Sequence, residues 1–308
     1  MGGMTVKHYV CIDIGGTFIK HGLADEEGKI LRKGSVATKI REDGVAAFLD
    51  QLQGIVEEYR KEWEPAGIAM ASPGIVDAEQ GKILFVGSAF PGYGGTALKE
   101  EMERRCGIPC EVENDVNAAG LGECWLGAGR GAKSVLCVAV GTNIGGCVLL
   151  DGKLLHGAAN SAGEVGYLSL GDGRILEETA STSALVREVA QKRGVPPESL
   201  DGEKIFDEAK AGKEDAVEAI EVMIRRLAAA LANICCILNP QRIIMGGGIM
   251  AQEEYLHPRL EKALRQALRI EPIRESTELV FAEFRNDAAM IGALCHFLQR
   301  RNSTAQLQ

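Results

Sequence analysis

Residues 10–20 read VCIDIGGTFIK, and this stretch decides the fold. Apolar residues lead into Asp13, the corner Gly15-Gly16-Thr17 follows, and a second apolar run begins beyond it. The pattern predicts a strand, a tight turn and a returning antiparallel strand. Because glycines let backbone N–H groups approach an anion closely, the corner suits a phosphate, and Asp13 suits a hydrated Mg²⁺. An ordinary glycine hairpin with a solvated aspartate explains the same residues equally well.

The same device occurs a second time in the chain. Residues 138–150 read VAVGTNIGGCVLL, again an apolar strand, a corner of glycine and threonine, and a second apolar strand. A charged glycine turn follows each copy, at residues 25–29 and 151–155. A third glycine cluster, residues 246–248, follows an apolar strand and precedes a helical pattern. The two matching copies predict a duplicated domain with two phosphate-facing hairpins.

Length and composition limit the class of protein. At 308 residues, the chain is long enough for two domains of about 100–200 residues each. A net charge of -9 and a pI of about 5.3 argue against a nucleic-acid partner, and the apolar runs are too short for a membrane span. Nine cysteines, an odd number without a signal peptide, predict reduced thiols and a cytoplasmic location.

Strand and helix patterns alternate along the chain. Helical spacing predicts helices over 42–62, 96–106, 182–193, 203–211, 214–238, 254–268 and 287–300, and apolar runs predict strands over 66–71, 109–113 and 278–282. We therefore expect an α/β protein of two similar lobes with a nucleotide in the cleft between them. The N-terminal lobe is predicted over 1–113 and the C-terminal lobe over 114–286, with helix 287–300 packing back on the first. The chain contains neither the P-loop motif nor the dinucleotide-binding glycine motif.

Asn114 and Asp115 lie where a predicted strand passes into a predicted helix. Both are favoured N-cap residues, so helix capping is the stronger interpretation of these two residues taken alone. A carboxylate at a strand end can also accept a proton from a substrate hydroxyl. The two roles are compatible, because a capping position fixes the side chain.

Two further acids lie near the second glycine corner. Glu164 stands in a loop of small residues, 157–167, that would allow a ligand to approach closely. Glu177 precedes a helix predicted to start near Ala180. A ligand contact and an ordinary first-turn acid explain Glu177 equally well.

Five motifs together resemble the ROK family (repressors, open reading frames, kinases). They are IDIGGTFIK at 12–20, SPGIVD at 72–77, ENDVNAA at 113–119, GTNIGG at 141–146 and AGEVGY at 162–167. The resemblance implies the duplicated ribonuclease H-like fold shared with actin and hexokinase. Repressor members carry an N-terminal helix-turn-helix, for which the residues before the first strand leave no room, so the kinase branch is expected.

The resemblance also implies roles for individual residues. Asp115 would be the general base, and sugar contacts would come from Gly74, Asn114, Asp115, Glu164, Tyr167 and Glu177. Asp13 would hold Mg²⁺ through water. ATP would be bound by Gly15, Gly16, Thr17, Lys20, Thr142, Gly145, Gly146, Gly247 and Gly248.

One part of the family pattern is missing. Most members have a histidine where this chain has Tyr167, followed by a cysteine segment that binds structural zinc. Here residues 171–176 read GDGRIL, so we expect no zinc. Members without zinc resemble β-glucoside kinases and related sugar kinases.

These observations predict a kinase that uses ATP and Mg²⁺ to phosphorylate the 6-hydroxyl of a hexose or hexoside. A β-glucoside or glucose is the expected substrate, with N-acetylmannosamine or fructose as alternatives. A non-catalytic sugar-sensing regulator is the alternative from another class. The resemblance implies a homodimer or a homotetramer, and the sequence does not decide between them.

Overall fold

A computed structural model describes residues 6–305, with side chains described up to residue 302. Contacts divide this chain into two compact units. The first unit contains residues 6–127, 156–161 and 287–305, and the second contains residues 128–155 and 162–286. The predicted boundary at residue 113 therefore differs from the observed one, because the helix that follows Asn114 packs within the first unit.

The first unit is built on a five-stranded sheet. Its elements are β1 (His8–Ile14), β2 (Phe18–Asp25), β3 (Ile30–Ala37), α1 (Ile40–Arg60), β4 (Pro65–Ser72), β5 (Ile75–Asp77), β6 (Lys82–Phe85), α2 (Leu98–Cys106), β7 (Cys110–Asn114), α3 (Asp115–Leu126) and the last helix, Ala288–Ala305. The strand order is β3-β2-β1-β4-β7. The strands β1, β2 and β3 form an antiparallel meander, whereas β1, β4 and β7 run parallel.

Alternate residues of β1 and β4 enter two different cores. Ile12 and Met70 pack with Phe48 of α1 on one face of the sheet. Cys11 and Ala69 pack with the last helix and α3 on the other face. The last helix approaches α3 closely, because a Cβ added at Gly292 would lie only 1.5 Å from the Ala118 carbonyl oxygen.

The second unit repeats this strand order. Its elements are β8 (Ser134–Val140), β9 (Ile144–Leu150), β10 (Lys153–Leu154), α4 (Leu176–Ala180), α5 (Thr182–Arg193), α6 (Gly202–Lys210), α7 (Glu214–Leu238), β11 (Arg242–Gly246), α8 (Glu253–Ala267), α9 (Glu271–Ser276) and β12 (Glu278–Phe281), so that the last helix of the chain is α10. The order is β10-β9-β8-β11-β12, with an antiparallel meander followed by the parallel strands β8, β11 and β12. Each unit therefore has an α/β architecture with the same sheet topology.

Several predicted elements differ from the structure. The first predicted helix is interrupted at Gly44, where φ is 78°. Helix α9 was not predicted, and α10 continues to Ala305, beyond the predicted end at residue 300. Among the described helices, none has both the length and the apolar character needed to cross a membrane.

Candidate functional site

The first glycine corner is a tight bend between β1 and β2. The Gly15 backbone N–H donates to the Phe18 carbonyl oxygen at 3.0 Å, and the Thr38 hydroxyl donates to the Gly15 carbonyl oxygen at 2.7 Å. A Cβ at Gly15 would lie 2.7 Å from the Phe18 oxygen, whereas a Cβ at Gly16 would have no described atom within 4 Å. Gly15 is therefore required by the bend itself, and Gly16 and Thr17 are exposed beside it.

Asp13 lies at the end of β1, next to this bend. Asp13 is only 9% exposed, and its Oδ2 lies 3.5 Å from Lys20 Nζ. Burial raises the pKa of Asp13, and the positive charge of Lys20 offsets only part of that effect. A single carboxylate fits Mg²⁺, which keeps several waters and is bound by one or two carboxylates together with substrate phosphates.

The second bend is one residue shorter. The pair Val140–Ile144 closes it, and the Gly141 N–H donates to the Asn143 carbonyl oxygen at 2.9 Å. The Thr182 N–H, at the start of α5, donates to the Gly141 carbonyl oxygen at 2.9 Å. Thr142 thus lies in a bend that is connected to a helix N-terminus.

Gly145 and Gly146, to which the family resemblance assigns an ATP contact, lie in strand β9, just after this bend. They pair with Ala139 and Val138 of β8. A Cβ at Gly146 would meet the Gly163 carbonyl oxygen at 2.9 Å, so this glycine is needed for packing. The predicted contact of both glycines with phosphate stays a prediction.

The third glycine cluster closes against β8. Gly247 has φ of 94°, and a Cβ there would lie 2.3 Å from the Val140 carbonyl oxygen. Gly248 opens onto a cavity of about 500 Å³. This cavity is lined by Gly141, Thr142, Thr182, Asp201, Gly202, Glu203, Phe206, Gly248, Ile249 and Gln252. The structure therefore brings Thr142 and Gly248 to one cavity of the second unit.

Asn114, Asp115 and Gly74 form a hydrogen-bonded group in the first unit. The Asn114 side chain caps α3 through its Oδ1, which accepts from the backbone N–H groups of Val116 (2.9 Å) and Asn117 (3.0 Å). Asn114 Nδ2 donates to the Gly74 carbonyl oxygen at 2.9 Å and to Asp115 Oδ1 at 3.0 Å. The predicted capping is confirmed, and it fixes the half-buried Asp115 side chain.

A buried acid beside this group was missed in the sequence. Glu113 is fully buried, and its Oε2 lies 2.8 Å from His156 Nε2 and 3.7 Å from His296 Nδ1. Burial raises the pKa of Glu113, but the hydrogen bonds with His156 and Asn117 outweigh it and hold the pKa below its ordinary value. The alternation Cys-Glu-Val-Glu in β7 is typical of a strand with one exposed face, so the residue pattern held no sign that Glu113 is buried.

Glu164, Tyr167 and Glu177 lie in the second unit. The sequence predicted that Glu177 precedes a helix starting near Ala180, but Glu177 lies within the short helix α4. Its Oε2 accepts a hydrogen bond from the Ile144 backbone N–H at 3.3 Å. Partial burial raises the pKa of Glu164, and the nearby negative charge of Glu177 adds to the effect. Tyr167 is 62% exposed.

A second cavity, of about 600 Å³, joins Glu177 to the second bend. It is lined by Thr142, Asn143, Arg174, Glu177, Glu178, Ser181, Ser183 and Arg187. The predicted sugar ligand Glu177 and the predicted phosphate contact Thr142 therefore face one space.

Ion pairs hold residues 169–176, the segment in which the family resemblance would place zinc-binding cysteines. Asp172 Oδ2 accepts from Arg226 of α7 at 2.8 Å and from Arg174 at 3.0 Å, and Ser169 forms a β-bridge with Ile175. Within residues 6–305, no group of three or more His, Cys, Asp or Glu residues is arranged to hold a metal ion.

The predicted site residues thus form two groups. The first unit contains Asp13, Gly15, Gly16, Thr17, Lys20, Gly74, Asn114 and Asp115. The second unit contains Thr142, Gly145, Gly146, Glu164, Tyr167, Glu177, Gly247 and Gly248. In the first unit, β1, β4 and β7 run parallel, so the Gly15 bend, Gly74 and Asp115 follow strands that end at the same edge of the sheet.

Comparison with known proteins identifies the family. The model of the ROK family matches residues 9–300. The chain belongs to the ROK family. One relative, an uncharacterized protein of Clostridium perfringens, is 39% identical over 96% of this chain and 99% of its own. The β-glucoside kinase of Listeria innocua is 32% identical over 94% of this chain and 97% of its own.

A solved structure of the family has the same α/β fold. The glucokinase of Streptomyces griseus, in complex with glucose and AMPPNP, matches with a TM-score of 0.81 and 28% identity. The match covers 93% of this chain and 98% of that one.

Proposed function

We propose that this ROK protein is a sugar kinase that transfers the γ-phosphate of ATP to the 6-hydroxyl of a hexose or hexoside. A β-glucoside or glucose is the substrate that we expect first. The observation that carries the proposal is the hydrogen-bonded group Gly74–Asn114–Asp115 at the same sheet edge as the Gly15 bend. Phosphoryl transfer depends mainly on positioning and charge stabilisation, so a fixed carboxylate and a glycine bend are the parts it requires.

The first unit would supply the base and a phosphate-binding bend. Asp115 accepts the proton of the sugar hydroxyl, and Asn114 and the Gly74 backbone orient the sugar. Exposed N–H groups at Gly16 and Thr17 bind phosphate oxygens, with Lys20 as a nearby cation. Asp13 would hold Mg²⁺ through water, and the ion would neutralise charge on the phosphates when bound.

The second unit would supply the nucleotide pocket and further sugar contacts. We assign the cavity beside Gly247 and Gly248 to the adenosine, since it combines apolar Phe206 and Ile249 with polar Gln252. Thr142 would contact phosphate. Glu164, Glu177 and Tyr167 would contact the sugar. The complex of the S. griseus glucokinase with glucose and AMPPNP supports this pair of ligands.

The shared sheet order of the two units supports the duplicated ribonuclease H-like fold. We also propose a cytoplasmic location, because all nine cysteines are free thiols. A homodimer or homotetramer remains the expected assembly, and light scattering would measure it.

Substrate choice is tested by coupled ADP release with a panel of sugars. We expect release with a β-glucoside such as cellobiose or with glucose, and the panel includes N-acetylmannosamine and fructose as alternatives. Sugar binding without ADP release from any sugar would favour a sugar-sensing regulator instead. Equal ADP release with and without sugar would identify an ATPase.

A further inference from the structure

The fully buried Glu113 lies directly before the turn that carries Asp115. Its Oε1 accepts hydrogen bonds from the Asn114 backbone N–H at 2.7 Å and from Asn117 Nδ2 at 3.0 Å. Its Oε2 lies 2.8 Å from His156 Nε2. Glu113 therefore joins His156 to the first turn of α3.

His156 reaches this carboxylate from a distant part of the chain. Residues 156–161 belong to the first unit, whereas the residues on both sides of them, up to Leu155 and from Ala162, belong to the second. The hydrogen bond to Glu113 ties the start of this segment to the end of β7. Eight positions further along the chain, the same stretch reaches Glu164.

The charges around His156 favour an imidazolium. The hydrogen bond with Glu113 raises the pKa of His156, the charge of Glu79 acts in the same direction, and burial and Arg300 oppose them. The second histidine near Glu113, His296, has its pKa lowered, chiefly by burial, so it favours the neutral form. His156 is therefore the counter-charge of the buried carboxylate.

We propose that His156 is a positioning residue for phosphoryl transfer, which acts through Glu113 to hold the Asn114 turn and with it the Asp115 carboxylate. This inference rests on the kinase function proposed above. Without His156, Glu113 would be a buried carboxylate without its counter-charge, which favours proton uptake. A protonated Glu113 accepts hydrogen bonds more weakly, so the Asn114 N–H and the Asn117 side chain lose part of their support.

Two substitutions of His156 test the proposal. We expect His156→Ala to lower kcat about 10- to 100-fold, the effect of a small displacement of a catalytic group, with the KM for sugar within about threefold. His156→Gln should recover only part of this loss at pH 7, because its amide nitrogen can still donate to Glu113 but carries no charge. The control is His257→Gln, which alters a histidine paired with Glu253 at 3.9 Å on α8.

The pH profile separates positioning from a general loss of stability. Because the pKa of His156 is raised, the charged contact is complete below its ordinary value of 6.5 and weakens as the pH rises through the value in the folded protein. Wild-type kcat should therefore decline on this alkaline limb, and His156→Gln should lack the decline. An unchanged kcat in His156→Ala, a loss confined to the sugar KM, or the same alkaline limb in His156→Gln would overturn the proposal.

An NMR titration of His156 tests the contact without requiring activity. Glu113→Gln should lower the pKa of His156, because it removes the adjacent negative charge. A wild-type protein that is inactive on every sugar contradicts the kinase function, and the contact is then judged by this titration. An unshifted His156 in Glu113→Gln would show that the two groups are not coupled.

Discussion

At the scale of single residues, the proposed phosphoryl transfer depends on how firmly the Asp115 carboxylate is held. Its Oδ1 accepts from Asn114 Nδ2 at 3.0 Å and from the Val116 N–H at 2.9 Å, within the first turn of α3. A base held in this way loses little orientational entropy when the sugar binds. The same residue serves the helix and the chemistry, which is why capping and catalysis could not be separated in the sequence.

Asp115→Asn should separate the two roles. The asparagine oxygen can keep both hydrogen bonds, but it cannot take up the proton. We expect kcat to fall by about 10²- to 10⁴-fold, while calorimetry shows sugar binding within about threefold of wild type. Asp25→Asn is a matched control, because Asp25 Oδ1 also accepts two N–H hydrogen bonds, both from backbone groups of a turn. Loss of sugar binding in Asp115→Asn would refute the assignment as a base.

Two adjacent glycines give a second residue-scale test. Gly15→Ala places a Cβ 2.7 Å from the Phe18 carbonyl oxygen and should reduce the free energy of unfolding by about 1–3 kcal/mol. Gly16→Ala meets no described protein atom within 4 Å, so the melting temperature should stay near that of wild type.

A methyl group at Gly16 would nevertheless crowd a phosphate bound in the bend. We expect kcat/KM for ATP to fall at least about tenfold in Gly16→Ala, measured with saturating sugar. Unchanged kinetics in this variant would show that the bend does not bind the nucleotide.

At the scale of elements, local patterns were sufficient wherever the signal was local. The spacing of apolar residues predicted α7 over 214–238, the bounds that the structure shows. The packing reason for Gly146 is not local, because the Gly163 carbonyl oxygen occupies the space beside it, and the spacing of apolar residues does not show this. The pair Glu113–His156 was missed for the same reason, since 43 positions separate its members.

The segment 169–176 offers an element-scale prediction. Hydrogen bonds from Arg226 and from Arg174 hold the pKa of Asp172 at about 2, so this contribution to stability is present above its ordinary value of 3.8 and is lost as the pH falls toward 2. Asp172→Asn should therefore lower the melting temperature at pH 7 more than it does at pH 2.

The control for Asp172→Asn is Asp207→Asn, which breaks an exposed pair with Lys210 on α6. A chelator should leave the melting temperature of wild type unchanged, and metal analysis should find no zinc. Stoichiometric zinc in the purified protein would contradict the view that ion pairs replace the metal in this segment.

At the scale of the whole molecule, the sequence predicted that one sheet topology occurs twice. It did not predict which segments of the chain belong to each unit. The two glycine corners and their charged turns indicated duplication, and both sheets have the corresponding order. The unit boundary was misjudged because α3 packs on α10, a contact between residues far apart in the sequence. Residues 156–161 also belong to the first unit, where His156 contacts Glu113.

The most direct test of the kinase assignment follows labelled phosphate from ATP to sugar. The purified protein is incubated with Mg²⁺, [γ-³²P]ATP and either cellobiose or glucose, and the product is identified by NMR. We predict sugar-dependent transfer to the 6-hydroxyl, slowed at least about 100-fold in Asp115→Asn. Label that remains on ATP with every sugar of the panel, or that appears as free phosphate at the same rate without sugar, would contradict the kinase function.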